Sequence, residues 1–201
     1  MNNTLAVYGG DTAIAAFGVI NRIITFLFLP MFGVVQGMMP IVGYNYGARQ
    51  LNRARHAVRL STMITTAMSL ATTAVLAAFP NQLMRVFTGD RALIEMAVPS
   101  VRLIVIAFRT VGFQVIAAGM YQALGRPLPA MVLALLRQVI LLAPLVLVLP
   151  RVLGLPGVWA SFPIADGVAG LITAAMALPA VLALRDAGEA GAKIAVTPAE
   201  P

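Results

Sequence analysis

Long apolar runs alternate with short polar breaks along this chain, and the run lengths set the first expectation. A helix rising about 1.5 Å per residue needs roughly 20 apolar residues to cross a hydrocarbon layer about 30 Å thick. Stretches of that kind occupy residues 13–43, 60–79, 97–124, 129–149 and 157–184, which predicts five membrane-spanning helices. The breaks between them, "FPNQ", "FTGD", "LGRPLP" and "LPRVLGLPG", carry the Gly, Pro and Asn that favour turns. Residues 1–11 read as the external end of a truncated preceding helix. Residues 12–184 read as a transmembrane helical lobe, and residues 185–201, rich in Gly, Ala and charge, as a cytoplasmic disordered tail.

Composition supports the same solvent. Of 201 residues 60% are hydrophobic and only 10% charged, whereas a water-soluble domain carries about 25% charged residues to cover its surface. The net charge of +7 does not point to nucleic acid, because the arginines sit between apolar runs instead of clustering on a polar domain. Their distribution orients the chain. Arg49, Arg53, Arg55, Arg59, Arg126, Arg185 and Lys193 fall on one side, and Arg85, Arg91, Arg102 and Arg151, with Asp90 and Glu95, on the other. The richer side belongs in the cytoplasm. The stretch "GYNYGARQLNRARHAVR" is then a membrane exit, with Tyr44 and Tyr46 at the headgroups and the arginines in a cytoplasmic loop. That orientation leaves residues 1–11 outside with no signal sequence ahead of them, so a missing upstream part is expected.

Catalytic chemistry has little to work with here. There is no cysteine, His56 is the single histidine, and no cluster of acids offers a metal or an acid–base pair. The expectation is therefore no enzyme, no catalytic residue, no metal and no bound cofactor. Asp166 is the one acid inside an apolar span, where an unpaired ionised carboxylate costs about 2.5–3.5 kcal/mol on insertion scales. By helix rise it lies roughly 13 Å below the outer end of its helix, with Arg109 at roughly 15 Å and Arg137 at roughly 18 Å. Either arginine can reach it. A fixed structural pair, a proton- or substrate-linked role and a water-exposed position at the external mouth all fit.

Other polar positions divide in the same way. Pro30, Gly33, Gly37 and Pro40 suit either ordinary packing of a bent helix or a flexible point that bends as a cavity changes side, and Gln36 lies among them. Thr62, Thr65, Thr66, Ser69, Thr72 and Thr73 share one face of the second run, which suits packing on another helix or the lining of a cavity. Gln114, Tyr121 and Gln122 can offer hydrogen bonds and a ring face to a cationic aromatic compound, although Tyr121 and Gln122 also suit an interface anchor.

Several stretches carry a resemblance. "GGDTAIAAFGVINRI" with "PMFGVVQGMMPIVGYNYGA", then "FPNQLMRVFTGDRALIEMA", "GFQVIAAGMYQALGRPLPA", "LLRQVILLAPLVLVLP" and "GLPGVWASFPIAD" resemble, in order and spacing, helices eight to twelve of the multidrug and toxic compound extrusion (MATE) family, including its bacterial members. The resemblance implies an all-α integral membrane fold, with five transmembrane helices forming most of one six-helix lobe of a two-lobe transporter. It implies a multi-pass protein of the bacterial plasma (inner) membrane with a cytoplasmic C-terminus, exporting drug-like organic compounds in exchange for protons or sodium ions. The partners it implies are membrane lipid, small organic substrates and the missing N-terminal lobe. In one respect the chain departs from the pattern. Some members hold cation-coupling acids on the seventh and tenth helices; the seventh is largely absent here, and the tenth-like run has Arg109 and Gln114 but no carboxylate. A flippase for lipid-linked saccharides and a non-transporting membrane fragment are the alternative readings.

Overall fold

The computed structural model describes residues 2–196, with side chains placed over residues 4–184 apart from 107. Among the described residues every regular element is a helix. Four helices are long and apolar enough to cross a membrane, and a bent pair supplies a fifth span. Large apolar side chains such as Phe26 (67% exposed), Leu171 (74%) and Leu178 (62%) point outwards. Water would penalise such a surface, whereas acyl chains accept it.

Helix α1 (Asn2–Gly47) is interrupted at Gly10, whose φ of 64° and ψ of −166° are open only to a residue without Cβ. The helix then runs on through Pro30, Gly33, Gly37 and Pro40 with helical backbone angles. Non-helical backbone angles within α1 thus fall at Gly10, and none falls at Pro30, Gly33, Gly37 or Pro40. In lipid the peptide groups around a proline have no water to turn to, so the surrounding helix persists. Helix α2 (Leu51–Ala78) begins well before its apolar run, and Arg53, Arg55 and Arg59 lie on its first turns instead of in a loop. Arg49 alone stays in the intervening turn, at a φ of 57°.

The next connection is more structured than its composition suggests. Helix α3 (Pro80–Phe87) starts on a proline, which suits a first turn. Helix α4 (Arg91–Val105) is capped by Asp90, whose Oδ1 accepts from the Ala92 N–H at 2.9 Å. A 3-10 segment (Ile106–Thr110) joins it to α5 (Val111–Ala123), and the two helical arms of this span meet at 46°. The fourth span comprises α6 (Pro127–Leu135), a π-helical stretch (Leu136–Leu142), α7 (Ala143–Val148) and the single turn α8 (Pro150–Leu153). Gly157 then lies so close to the Leu149 carbonyl that an added Cβ would stand 2.7 Å from it, which fixes the hairpin into α9.

Helix α9 (Leu155–Val196) continues past Arg185, where a disordered tail was expected. The Ala-rich segment propagates a helix already nucleated in the membrane. Residues 197–201 of that expected tail lie outside the described residues.

Two apolar clusters fill the bundle. One joins the first half of α1 to α4 and the start of α9, around Ile20, Phe108 and Trp159. The other joins the second half of α1 to α5, α6 and the later part of α9, around Val42, Met120 and Leu133.

Candidate functional site

Between those clusters, polar side chains from four spans meet. Asp166 on α9 is 2% exposed, and its Oδ1 lies 2.5 Å from Nε of Arg137, on the π-helical stretch. Arg137 is 35% exposed, so the pair has one buried end and one end open to the bundle surface. Neither carboxylate oxygen has an aligned hydrogen-bond donor among the described residues; attraction of opposite charges holds this contact. In a low-dielectric interior such a pair is costly to break, because removing one partner strands the other. The π turn is what makes the register. Its wider winding displaces side chains relative to a regular helix, and turns of this kind recur where a helix carries a special side chain.

Of the two arginines within reach by depth, the fold pairs Arg137 with Asp166. Arg109 lies on the 3-10 segment, is exposed, and makes no ion pair among the described residues. Gln114 joins the belt from α5. It is buried, and its amide donates to the Thr110 hydroxyl (2.9 Å) and to the Asp166 backbone carbonyl (3.3 Å). Thr110 in turn reaches the same carbonyl at 3.5 Å. Gly170, one turn on, lets Thr110 approach; a Cβ there would stand 3.2 Å from the Thr110 Cβ.

The Thr and Ser stripe of α2 completes the belt. Thr65 and Ser69 are fully buried; Thr65 donates to the Gly112 carbonyl (2.9 Å) and Ser69 to the Phe108 carbonyl. These hydroxyls serve carbonyls at the point where the third span bends and its helical pattern changes, which is where backbone acceptors most need partners in a membrane. The contact is close because residue 112 is glycine: a Cβ there would overlap the Thr65 carbonyl.

The remaining candidates scatter. Tyr121 is buried, and its hydroxyl donates to the Met176 carbonyl at 2.6 Å, tying α5 to α9. Gln122 and Gln36 are exposed on the outer faces of α5 and α1. Gly33 and Gly37 are also exposed, with no atom within 4 Å of an added Cβ. A small cavity of ≈ 110 Å³ adjoins the ion pair, with Asn21, Arg137 and Gln138 among its lining residues. Asn21 and Gln138 were not singled out in the sequence. A lone amide in an apolar run, and an amide beside an intramembrane arginine, are the signals that point to them.

The MatE family model matches residues 2–148. The multidrug export protein MepA of Staphylococcus aureus (strain N315) is 30% identical over 188 residues, covering 92% of this chain and 40% of that protein. A FAD transporter of Shewanella oneidensis is 28% identical over 160 residues, covering 80% and 35%. Among solved structures, a complex of the MATE multidrug transporter DinF-BH superposes with a TM-score of 0.77 at 43% identity, over 87% of this chain and 39% of that one. The outward-facing conformation of a multidrug resistance MATE family transporter gives 0.84 at 21% identity, over 92% and 42%. The chain thus spans well under half the length of the relatives it matches. With an all-helical bundle of membrane spans, a family model matched over most of its length and transporters as its structural neighbours, the chain belongs to the MATE family.

Proposed function

We infer that the protein forms one lobe of an exporter of organic, often cationic, compounds in a bacterial plasma membrane, with the end of α9 in the cytoplasm. The observation that carries this reading is the 43% identity to DinF-BH, a MATE multidrug transporter. Alternating access needs two bodies that rock around a site between them. The second lobe comes from further residues of the same polypeptide or from a second subunit. Exchange for protons or sodium ions supplies the driving force, and no covalent chemistry is involved.

Within this lobe the Arg137–Asp166 pair acts as a clamp between the π-helical stretch and α9. Its burial, and the Gln114 bonds to the Asp166 backbone, support a structural role over direct substrate contact. Gln36 and Gln122, being exposed, are left as candidates for contact with the second lobe or with lipid.

The test is accumulation of a fluorescent organic cation in cells lacking other exporters, with and without the complete reading frame. Proteoliposomes given either a proton or a sodium gradient then identify the coupling ion. Lowered accumulation and gradient-driven movement are expected. Unchanged accumulation together with no response to either gradient overturns the reading.

A further inference from the structure

Two grooves flank α2, and they differ in chemistry. The one against α1, ≈ 700 Å³, mixes apolar side chains such as Met38, Ile41 and Leu60 with Asn45, Asn52, His56 and Ser61, and its Arg53 is held by Gln50 at 3.0 Å. The one enclosed by α2, α5 and α9, ≈ 530 Å³, has walls of Met, Ile, Ala, Leu, Val and Phe with two arginines at one end. Its single hydroxyl, on Thr62, is already donated to the Val58 carbonyl at 2.8 Å. The volume falls within the range of about 300–1,000 Å³ usual for sites that take a discrete ligand.

We propose that this groove binds one anionic phospholipid, its phosphate on Arg55 and Arg59 and an acyl chain along Phe113, Ile116 and Leu178. The two arginines stand four residues apart, so they share a face of α2. By helix rise they lie about 6 and 12 Å from the first turn, at Leu51. That is headgroup depth for side chains long enough to extend toward the interface. Among the described residues neither has an ion-pair or hydrogen-bond partner, and no carboxylate lines the groove. Two guanidinium groups with free donors form a fork for phosphate oxygens. Basic pockets between membrane helices select anionic headgroups in this way. A zwitterionic lipid brings an ammonium that the arginines repel. From the arginines inward the stripes on α5 and α9 repeat at three- and four-residue steps, giving a continuous apolar trough. This site is separate from the polar belt and does not depend on the transport reading.

The test is native mass spectrometry of the purified protein in neutral detergent, offered equal amounts of phosphatidylglycerol and phosphatidylcholine. Preferential retention of one phosphatidylglycerol is expected, weakened about fivefold for each arginine removed in the Arg55→Gln and Arg59→Gln variants. Arg49→Gln with Arg126→Gln removes the same charge away from the groove and leaves retention intact. Ala174→Phe fills the trough without touching charge and abolishes retention, which keeps the test decisive if the arginine variants do not fold. Excess inorganic phosphate does not displace the lipid. Equal retention of the two lipids, equal loss in the charge control, or displacement by phosphate overturns the proposal.

Discussion

Replacing Gly112 by Ala probes the tightest of the glycine contacts in the bundle. An added Cβ overlaps the Thr65 carbonyl, which is backbone within a helix and cannot swing aside as a flexible side chain would. Helices α2 and α5 must separate. Overpacking of this kind costs about 1–3 kcal/mol. Separation also stretches the hydroxyl bonds from Thr65 and Ser69 to the third span, worth about 0.6 kcal/mol each and up to about 1.7 in membrane proteins. Alanine returns about 0.5–1 kcal/mol through its better helix propensity. The net expectation is a loss of about 1–4 kcal/mol. Gly37→Ala is the matched comparison, since nothing lies within 4 Å of its Cβ. That substitution should be neutral or stabilising by no more than about 1 kcal/mol. Both are measured by reversible unfolding in mixed micelles, titrating SDS and following circular dichroism. Should Gly112→Ala lose less than about 0.5 kcal/mol, or should the two variants lose equally, the crossing is not where the fold is sensitive.

Tyr121→Phe removes the hydroxyl bonded to the Met176 carbonyl and should cost about 0.5–1.5 kcal/mol in the same titration. Its apparent affinity for an exported dye should stay unchanged; weakened affinity without lost stability would make Tyr121 a substrate contact. Asp166→Asn should impair dye export while Asp166→Glu keeps part of it, because only the acid can hold Arg137. Wild-type export by the Asn variant removes any coupling role for Asp166. Because the chain has no cysteine, single replacements report sidedness directly. Gln82→Cys on α3 should react with an impermeant maleimide in intact cells, and Arg126→Cys only after permeabilisation; the opposite pattern inverts the orientation.

Five apolar runs were legible because the lipid solvent imposes a minimum length and admits few charges, and both constraints are written in composition. The start of α2 was less so. Arg53, Arg55 and Arg59 look like loop residues by polarity, yet arginine is a good helix former, and the helix carries them into the interface. The bend at Ile106–Thr110 has no proline or glycine to announce it; it depends on Ser69 and Thr65 arriving from another helix. Depth along each helix brought Asp166 near an arginine, but choosing Arg137 over Arg109 needs the direction in which each side chain points. That direction is set by a 3-10 segment in one case and a π-helical stretch in the other. A pattern assuming 3.6 residues per turn throughout misplaces both.

The π-helical stretch constrains how this chain tolerates insertions and deletions. Losing one residue between Gln138 and Leu142 would let that stretch relax to ordinary winding, with little change in length. Because the wider turn already holds the extra residue, everything on its far side would keep nearly its present facing, including the tight hairpin at Gly157 and, through it, the start of α9. A single codon removed from the regular helix α9 between Gly157 and Asp166, where hydropathy alone would register almost no difference, would instead swing the carboxylate by about 100° and separate it from the arginine.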